Sequence, residues 1–164
     1  MATEYAILAK LGGFIGSNPE IISSTPSLKS IMTETELLSK CFPIGSKVGQ
    51  FIEDKLNKYL VLSYIFKVKQ ERERDDLFSL SILLNKHDKI DIYKHTLKEL
   101  VDILEENGLL SELILTKYHN LIYEGMNQEK DILIENKFIE LSRIFRDIKA
   151  KVLKQKPQLK GSFF

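Results

Sequence analysis

Between Tyr59 and Gly108 the apolar period of the chain changes from two to about 3.6. Leu60, Leu62, Tyr64, Phe66 and Val68 alternate along one segment, and Phe78, Leu80, Ile82 and Leu84 alternate along the next. Between them lies Gln70-Glu71-Arg72-Glu73-Arg74-Asp75-Asp76, too charged to sit in a core. Tyr93, Leu97, Leu100, Val101 and Leu104 then recur at helical spacing, closed by Asn107-Gly108. The pattern predicts an antiparallel hairpin whose second strand feeds a helix packed on one sheet face. Phe78, Leu80, Ile82 and Leu84 are expected beneath that helix, over 92–105, with Ser79 and Ser81 on the opposite face.

Upstream, Tyr5 to Leu11 is apolar on both faces until Lys10, which predicts a central strand buried on both sides. Gly12-Gly13 and Gly16-Ser17-Asn18-Pro19 supply turn chemistry, and Glu20 to Ser24 completes a first hairpin. Ser27 to Lys40 carries a weak helical pattern, and Thr33 or Thr35 could instead cap a shorter helix. Cys41-Phe42-Pro43-Ile44-Gly45 breaks it, because Pro43 and Gly45 cannot continue a helix. Val48 to Glu53 is expected as a short strand, leading through 54–58 into the long strand at Tyr59.

The C-terminal third reads as helical. Leu110, Leu113, Ile114, Tyr118, Leu121 and Ile122 form one stripe, ended by Gly125 and Asn127-Gln128. Ile134, Phe138, Leu141, Phe145, Ile148 and Val152 then recur at alternating steps of four and three. Such a seam suits a coiled coil, but it is under three heptads, which favours an amphipathic helix covering the sheet. Pro157 ends it. One domain over 1–156 with a flexible tail at 157–164 is the expected organisation.

Composition narrows the function classes. The chain has 164 residues, enough for a core without disulfide or metal. Its formal net charge of +1 gives no global field toward nucleic acid or an anionic membrane. The single cysteine, Cys41, excludes an internal disulfide and a cysteine-based zinc cluster. Met1-Ala2-Thr3-Glu4 has no basic region of the signal-peptide kind, and the longest apolar run is far below the ~20 residues of a membrane-spanning helix. A soluble, cytoplasmic protein is expected. The lysines at 149, 151, 154, 156 and 160 leave room for peripheral membrane contact at most, and a helix end complementing its macrodipole explains them as well.

Three segments together carry a family likeness: Tyr5-Ala6-Ile7-Leu8-Ala9-Lys10 before a glycine turn, the Phe42-Pro43-Ile44-Gly45 break, and the hairpin with its helix. They resemble the longin domain of the DENN, folliculin and nitrogen-permease-regulator-like group, in which Phe-Pro-X-Gly precedes a strand pair. The resemblance covers most of the chain. It implies an α/β (α+β) fold with a five-stranded, mainly antiparallel sheet sandwiched by helices. It also implies binding to a small GTPase, or to another longin or roadblock-like domain, in membrane traffic or nutrient-type signalling. No segment of the 164 residues matches the second, DENN-type domain, so a non-catalytic binding or scaffold module is favoured over exchange activity.

Some members of that group are GTPase-activating proteins that insert an arginine from the loop before the last sheet strand. Arg72 and Arg74 hold the corresponding place here, Arg74 nearer the strand. A guanidinium there would stabilise charge on the phosphoryl oxygens in the transition state. Glu71, Glu73, Asp75 and Asp76 oppose this by pairing with the arginines and repelling phosphate. A solvated loop of alternating charge is therefore the favoured reading, and the activating protein is the alternative. A homodimeric subunit joined by the C-terminal helix is a third.

Other chemistry finds no support. Gly12 to Ser17 and Gly45 to Gly49 lack the Lys-Ser/Thr and spacing of a phosphate loop. His87, His95 and His119 are not paired on one helix face, so no metal ligand set forms, and they are expected to be exposed. Cys41 with any of them is no nucleophile–base pair. Glu105-Glu106 are sequence neighbours that diverge on a helix. No cofactor is expected.

Overall fold

The structure is a computed structural model that describes residues 3–11, 18–25, 33–69, 75–86 and 88–155. Five strands form one antiparallel sheet: β1 (Thr3–Leu11), β2 (Glu20–Thr25), β3 (Phe51–Leu56), β4 (Tyr59–Val68) and β5 (Asp76–Asn85), in the order β2-β1-β5-β4-β3. β4 and β5 pair along their whole length, with Leu62 opposite Ile82, Tyr64 opposite Leu80 and Phe66 opposite Phe78. The period-two row thus becomes one apolar face. β1 pairs β5 on its other side, and Ala6, Ile7, Leu8 and Ala9 are all buried. β1 is therefore interior as expected, although β5 is the central strand.

α1 (Glu34–Cys41) covers one face of the sheet. Its N-cap is Thr33, whose hydroxyl accepts from the Glu36 N–H, and Glu34 and Glu36 lie in its first turn. The shorter of the two expected helices is the one formed; residues 26–32 lie outside the described residues. Beneath it, Leu37 and Cys41 pack on Ile7, Val61 and Leu83. Ser79 and Ser81 do face this side, and α1 buries them. The Ser79 hydroxyl donates to the Cys41 carbonyl (2.7 Å), and Ser63 and Ser81 hydroxyls lie 2.6 Å apart. These pairings satisfy hydroxyls that would otherwise be costly to bury.

The other face carries α2 (Ile90–Glu106) over β4, and α4 (His119–Gln128) over β1 and β2, preceded by the single turn and a half of α3 (Glu112–Lys117). Phe78, Leu80, Ile82 and Leu84 lie in one core with Leu97, Leu100 and Leu104 of α2, as the alternation requires. Each such side chain, fully buried, contributes roughly 1.5–3 kcal/mol. α5 (Leu141–Gln155) packs on α2, with Phe145 edge-on to Tyr93 at a centroid distance of 5.6 Å. The result is the expected α+β, longin-like sandwich of a five-stranded sheet between helical layers.

Four local expectations change. The strand expected at 48–53 is β3 at Phe51–Leu56, because Gly49 adopts φ +84° and turns the chain just before the ladder. A two-residue turn at 57–58, with Asn57 left-handed at φ 54°, then joins β3 to β4. The stripe from Leu110 to Ile122 is two helices that meet at Tyr118, whose φ −103° and ψ 12° interrupt the spiral. Ser111 caps the first of them by accepting from the Ile114 N–H, and Leu113 faces solvent. Of the two expected end signals, Asn127-Gln128 holds and Gly125 does not: α4 runs through Gly125 to Gln128 and stops at left-handed Glu129. Finally, the seam from Ile134 is not one helix. Ile134 and Phe138 belong to a hairpin of β6 (Ile132–Ile134) and β7 (Lys137–Ile139), turned by left-handed Glu135, and only Leu141 onward is helical. The tail proposed at 157–164 lies outside the described residues.

Candidate functional site

Arg72 and Arg74 lie outside the described residues, but both ends of their connection are in place. It leaves β4 after Val68 and enters β5 at Asp76, and these two residues pair across the ladder. Just inside, Lys67 Nζ sits 3.8 Å from the Asp75 carboxylate. Asp76 is largely buried and lies 3.6 Å from Lys10 Nζ on β1, which also meets Glu112 at 2.7 Å. The Glu112 hydrogen bond, with the nearby Asp76 charge, holds the Lys10 ammonium above its ordinary pKa against the opposing effect of burial. Two of the four carboxylates expected to neutralise the arginines are therefore engaged by lysines. β1 also ends here at Leu11 and β2 begins at Glu20, so this end of the sheet gathers Lys10, Lys67, Asp75, Asp76 and Glu112.

A second surface lies along the β3 edge of the sheet. Phe42, the C-cap of α1, is buried against Ala9 and Ile65 and anchors the segment that follows. The Ser46 hydroxyl and N–H both donate to the Pro43 carbonyl, and the Gly49 N–H donates to Ile65 O at 2.7 Å. The loop is thus pinned at both ends, and it holds Ile44 fully exposed and Val48 53 % exposed. It runs directly into β3, whose outer edge has no strand partner among the described residues.

Ile65 N–H donates to Gln50 O, so by alternation the backbone groups of Phe51, Glu53 and Lys55 point toward that free edge. The Lys55 N–H is met there by its neighbour Asp54 (2.7 Å), a contact that with Lys40 holds the Asp54 carboxyl below its usual range. Phe51 and Glu53 retain the open positions. Glu53 meets Lys94 of α2, and the Phe51 ring lies tilted against Tyr64 with centroids 4.9 Å apart. Ile44 and Val48 gave no separate signal, because exposed and buried aliphatics look alike in sequence.

The histidines separate. His87 lies outside the described residues. His95 is on α2, and His119 is buried, correcting the expected exposure: its Nε2 lies 3.0 Å from the Ala6 carbonyl, tying α4 to β1. Burial lowers the His119 pKa below 6.5, only partly countered by that hydrogen bond. No group of three metal-ligating side chains occurs among the described residues. Burial pushes the Cys41 thiol up to about 12, so it stays protonated and is no nucleophile at neutral pH. In the Gly45–Gly49 segment the N–H groups of Ser46, Lys47 and Gly49 are spent on Pro43, Gln50 and Ile65, so these three do not cradle a phosphate. In the lysine-rich tail, Lys149 pairs with Glu129, and 156–160 lie outside the described residues. No helix among the described residues is long and apolar enough to cross a membrane.

No protein-family model matches this chain, and no curated protein matches it in sequence.

Proposed function

We propose that this domain is a non-catalytic binding module that regulates a small GTPase, in membrane traffic or nutrient-type signalling, and that it docks through the α1–β3 side. The observation that carries this reading is the pinned loop that presents Ile44 and Val48 beside an open strand edge. An exposed apolar pair on a pinned backbone costs less ordering entropy on association than one on a free loop. An open edge can accept a strand from a partner through main-chain hydrogen bonds. Supporting the GTPase as partner is the likeness of the Phe42-Pro43-Ile44-Gly45 segment and of the sheet sandwich to longin domains. Contact with another longin or roadblock-like domain would use the same side.

The apolar stripe of α5 argues against a helix-mediated homodimer, since Leu141, Phe145 and Ile148 are buried within the chain. The arginine-finger alternative gains from the engagement of Asp75 and Asp76 by lysines, which removes part of the opposing charge. Binding is tested with the immobilised domain against GDP- and GTP-analogue-loaded small GTPases. Ile44→Asp with Val48→Asp should weaken binding about tenfold or more, roughly 1.4 kcal/mol, at unchanged thermal stability. Wild-type protein that binds no GTPase in either nucleotide state would remove the reading.

A further inference from the structure

The β6–β7 hairpin has one buried and one exposed apolar face. Ile132, Ile134 and Ile139 point into the core, whereas Leu133 and Phe138, direct cross-strand partners, are 54 % and 55 % exposed. Aliphatic and aromatic side chains at both outward positions of so short a hairpin form a contiguous apolar patch, the kind of surface that marks interaction sites. Phe138 also opens into a groove of about 340 Å³ between α2 and α5, where Ile103 and Ile144 line the floor.

The rim of this groove is acidic. It carries Glu99 and Glu106 from α2 and Glu140 and Asp147 from the α5 side, against only Lys137 and Arg143. Arg143 is held by Glu140 and Asp147, at 3.8 and 3.9 Å, so it offers little to an incoming anion. Glu99 and Glu106 form no ion pair among the described residues.

We propose that this groove is a second docking site, and that its occupant is a basic amphipathic helix from a partner protein. Its apolar stripe packs on Phe138, Leu133, Ile103 and Ile144, and its flanking lysines or arginines face Glu99 and Glu106. A trough between two helices suits a third helix laid into it, read through anchors on one face, and an exposed aromatic is the residue type that dominates such contacts. Complementary charge sets the partner's sign and raises the association rate. The site lies on the α2–α5 layer, on the sheet face opposite α1, and stands independently of the GTPase reading.

The probe is a short fluorescein-labelled peptide of leucine and lysine at helical spacing, with a control in which glutamate replaces every lysine. Both are titrated against the full chain by anisotropy. The lysine peptide should bind at least about tenfold more tightly than the control. Phe138→Ser should weaken it by about tenfold. Glu99→Lys with Glu106→Lys should weaken it further and shift preference toward the glutamate peptide. All three substituted side chains are solvent-accessible, and unchanged melting curves verify that the variants fold. Equal binding of the two peptides, or insensitivity to Phe138→Ser, overturns the proposal. So does a concentration-dependent dimer that Phe138→Ser dissociates while neither peptide binds, because the occupant is then a second copy of this chain.

Discussion

Gly125→Ala sets two effects of known sign against each other. On helix propensity alone alanine should stabilise α4 by about 1 kcal/mol, since Gly125 sits inside the helix at an ordinary φ. Yet a Cβ there would lie 2.7 Å from Leu141 Cδ1, 2.8 Å from Ile132 Cγ2 and 3.3 Å from the Lys130 carbonyl oxygen. Leu141 Cδ1 ends a rotatable side chain and can move. Ile132 Cγ2 cannot move without turning a stiff β-branched χ1, and both residues are fully packed in the core. The Lys130 backbone is fixed by its N–H bond to Gly125 O at the end of α4. Overpacking of this kind costs about 1–3 kcal/mol. The net expectation is a loss of about 1 kcal/mol, read as a fall of about 2–4 °C in Tm for a chain of this size. Gly125→Val, with two further methyls, should lose several times more. Urea and thermal denaturation followed by circular dichroism decide it. A Gly125→Ala variant as stable as wild type or more so would refute the close approach of α4, β6 and α5.

Three further outcomes are expected. Leu80→Asp places an unpaired charge in the core and should abolish cooperative unfolding, because the cost of several kcal/mol is comparable to total domain stability; a wild-type melting curve would refute the β5 register. His119 is disfavoured for protonation in the folded state, so the unfolded chain binds the extra proton as pH drops below 6.5. Stability should hold above that pH and fall below it, and His119→Gln should lose that acid limb below pH 6.5; identical limbs would show that other groups cause it. If the domain stimulates GTP hydrolysis, Arg74→Ala and Arg74→Lys should both remove about 10³–10⁵ in rate with binding retained, whereas a surface ion pair would account for only ~0–1 kcal/mol; Arg72→Ala is the second choice, and stimulation that survives all three excludes the finger.

The sheet was legible because β4 and β5 each carry an unbroken apolar row at period two on the face that α2 covers. In β5, Phe78, Leu80, Ile82 and Leu84 point to α2, and even the intervening serines conform, since small hydroxyls can be buried under α1 when paired with each other. The C-terminal third was not legible in the same way. Steps of four and three join Ile134, Phe138 and Leu141 into a helical pattern, yet Ile134 is buried and Phe138 exposed on opposite faces of a hairpin. Three-residue strands are too short to display their own period. What separates them is the left-handed turn at Glu135, a position where glutamate gives no warning of positive φ. Gly125 misled for the reverse reason, being selected by close packing rather than by a helix end.

The surfaces proposed for binding share this origin. Ile44, Val48, Leu133 and Phe138 are the same residue types as the core, and their exposure follows from turns that sequence shows poorly: Gly45 and Gly49 around the first pair, Glu135 between the second. In both places a tight turn fixes an apolar side chain outward while its neighbour anchors inward, Phe42 in one case and Ile134 in the other. A side chain on a backbone so held has little backbone freedom left to lose when a partner covers it, so more of its transfer energy remains for affinity. That physical economy favours these two places over the charged connection between β4 and β5 as binding surfaces. At the connection, the described charges are already paired, Lys10 with Asp76 and Lys67 with Asp75, and a partner covering them would have to strip their water as well.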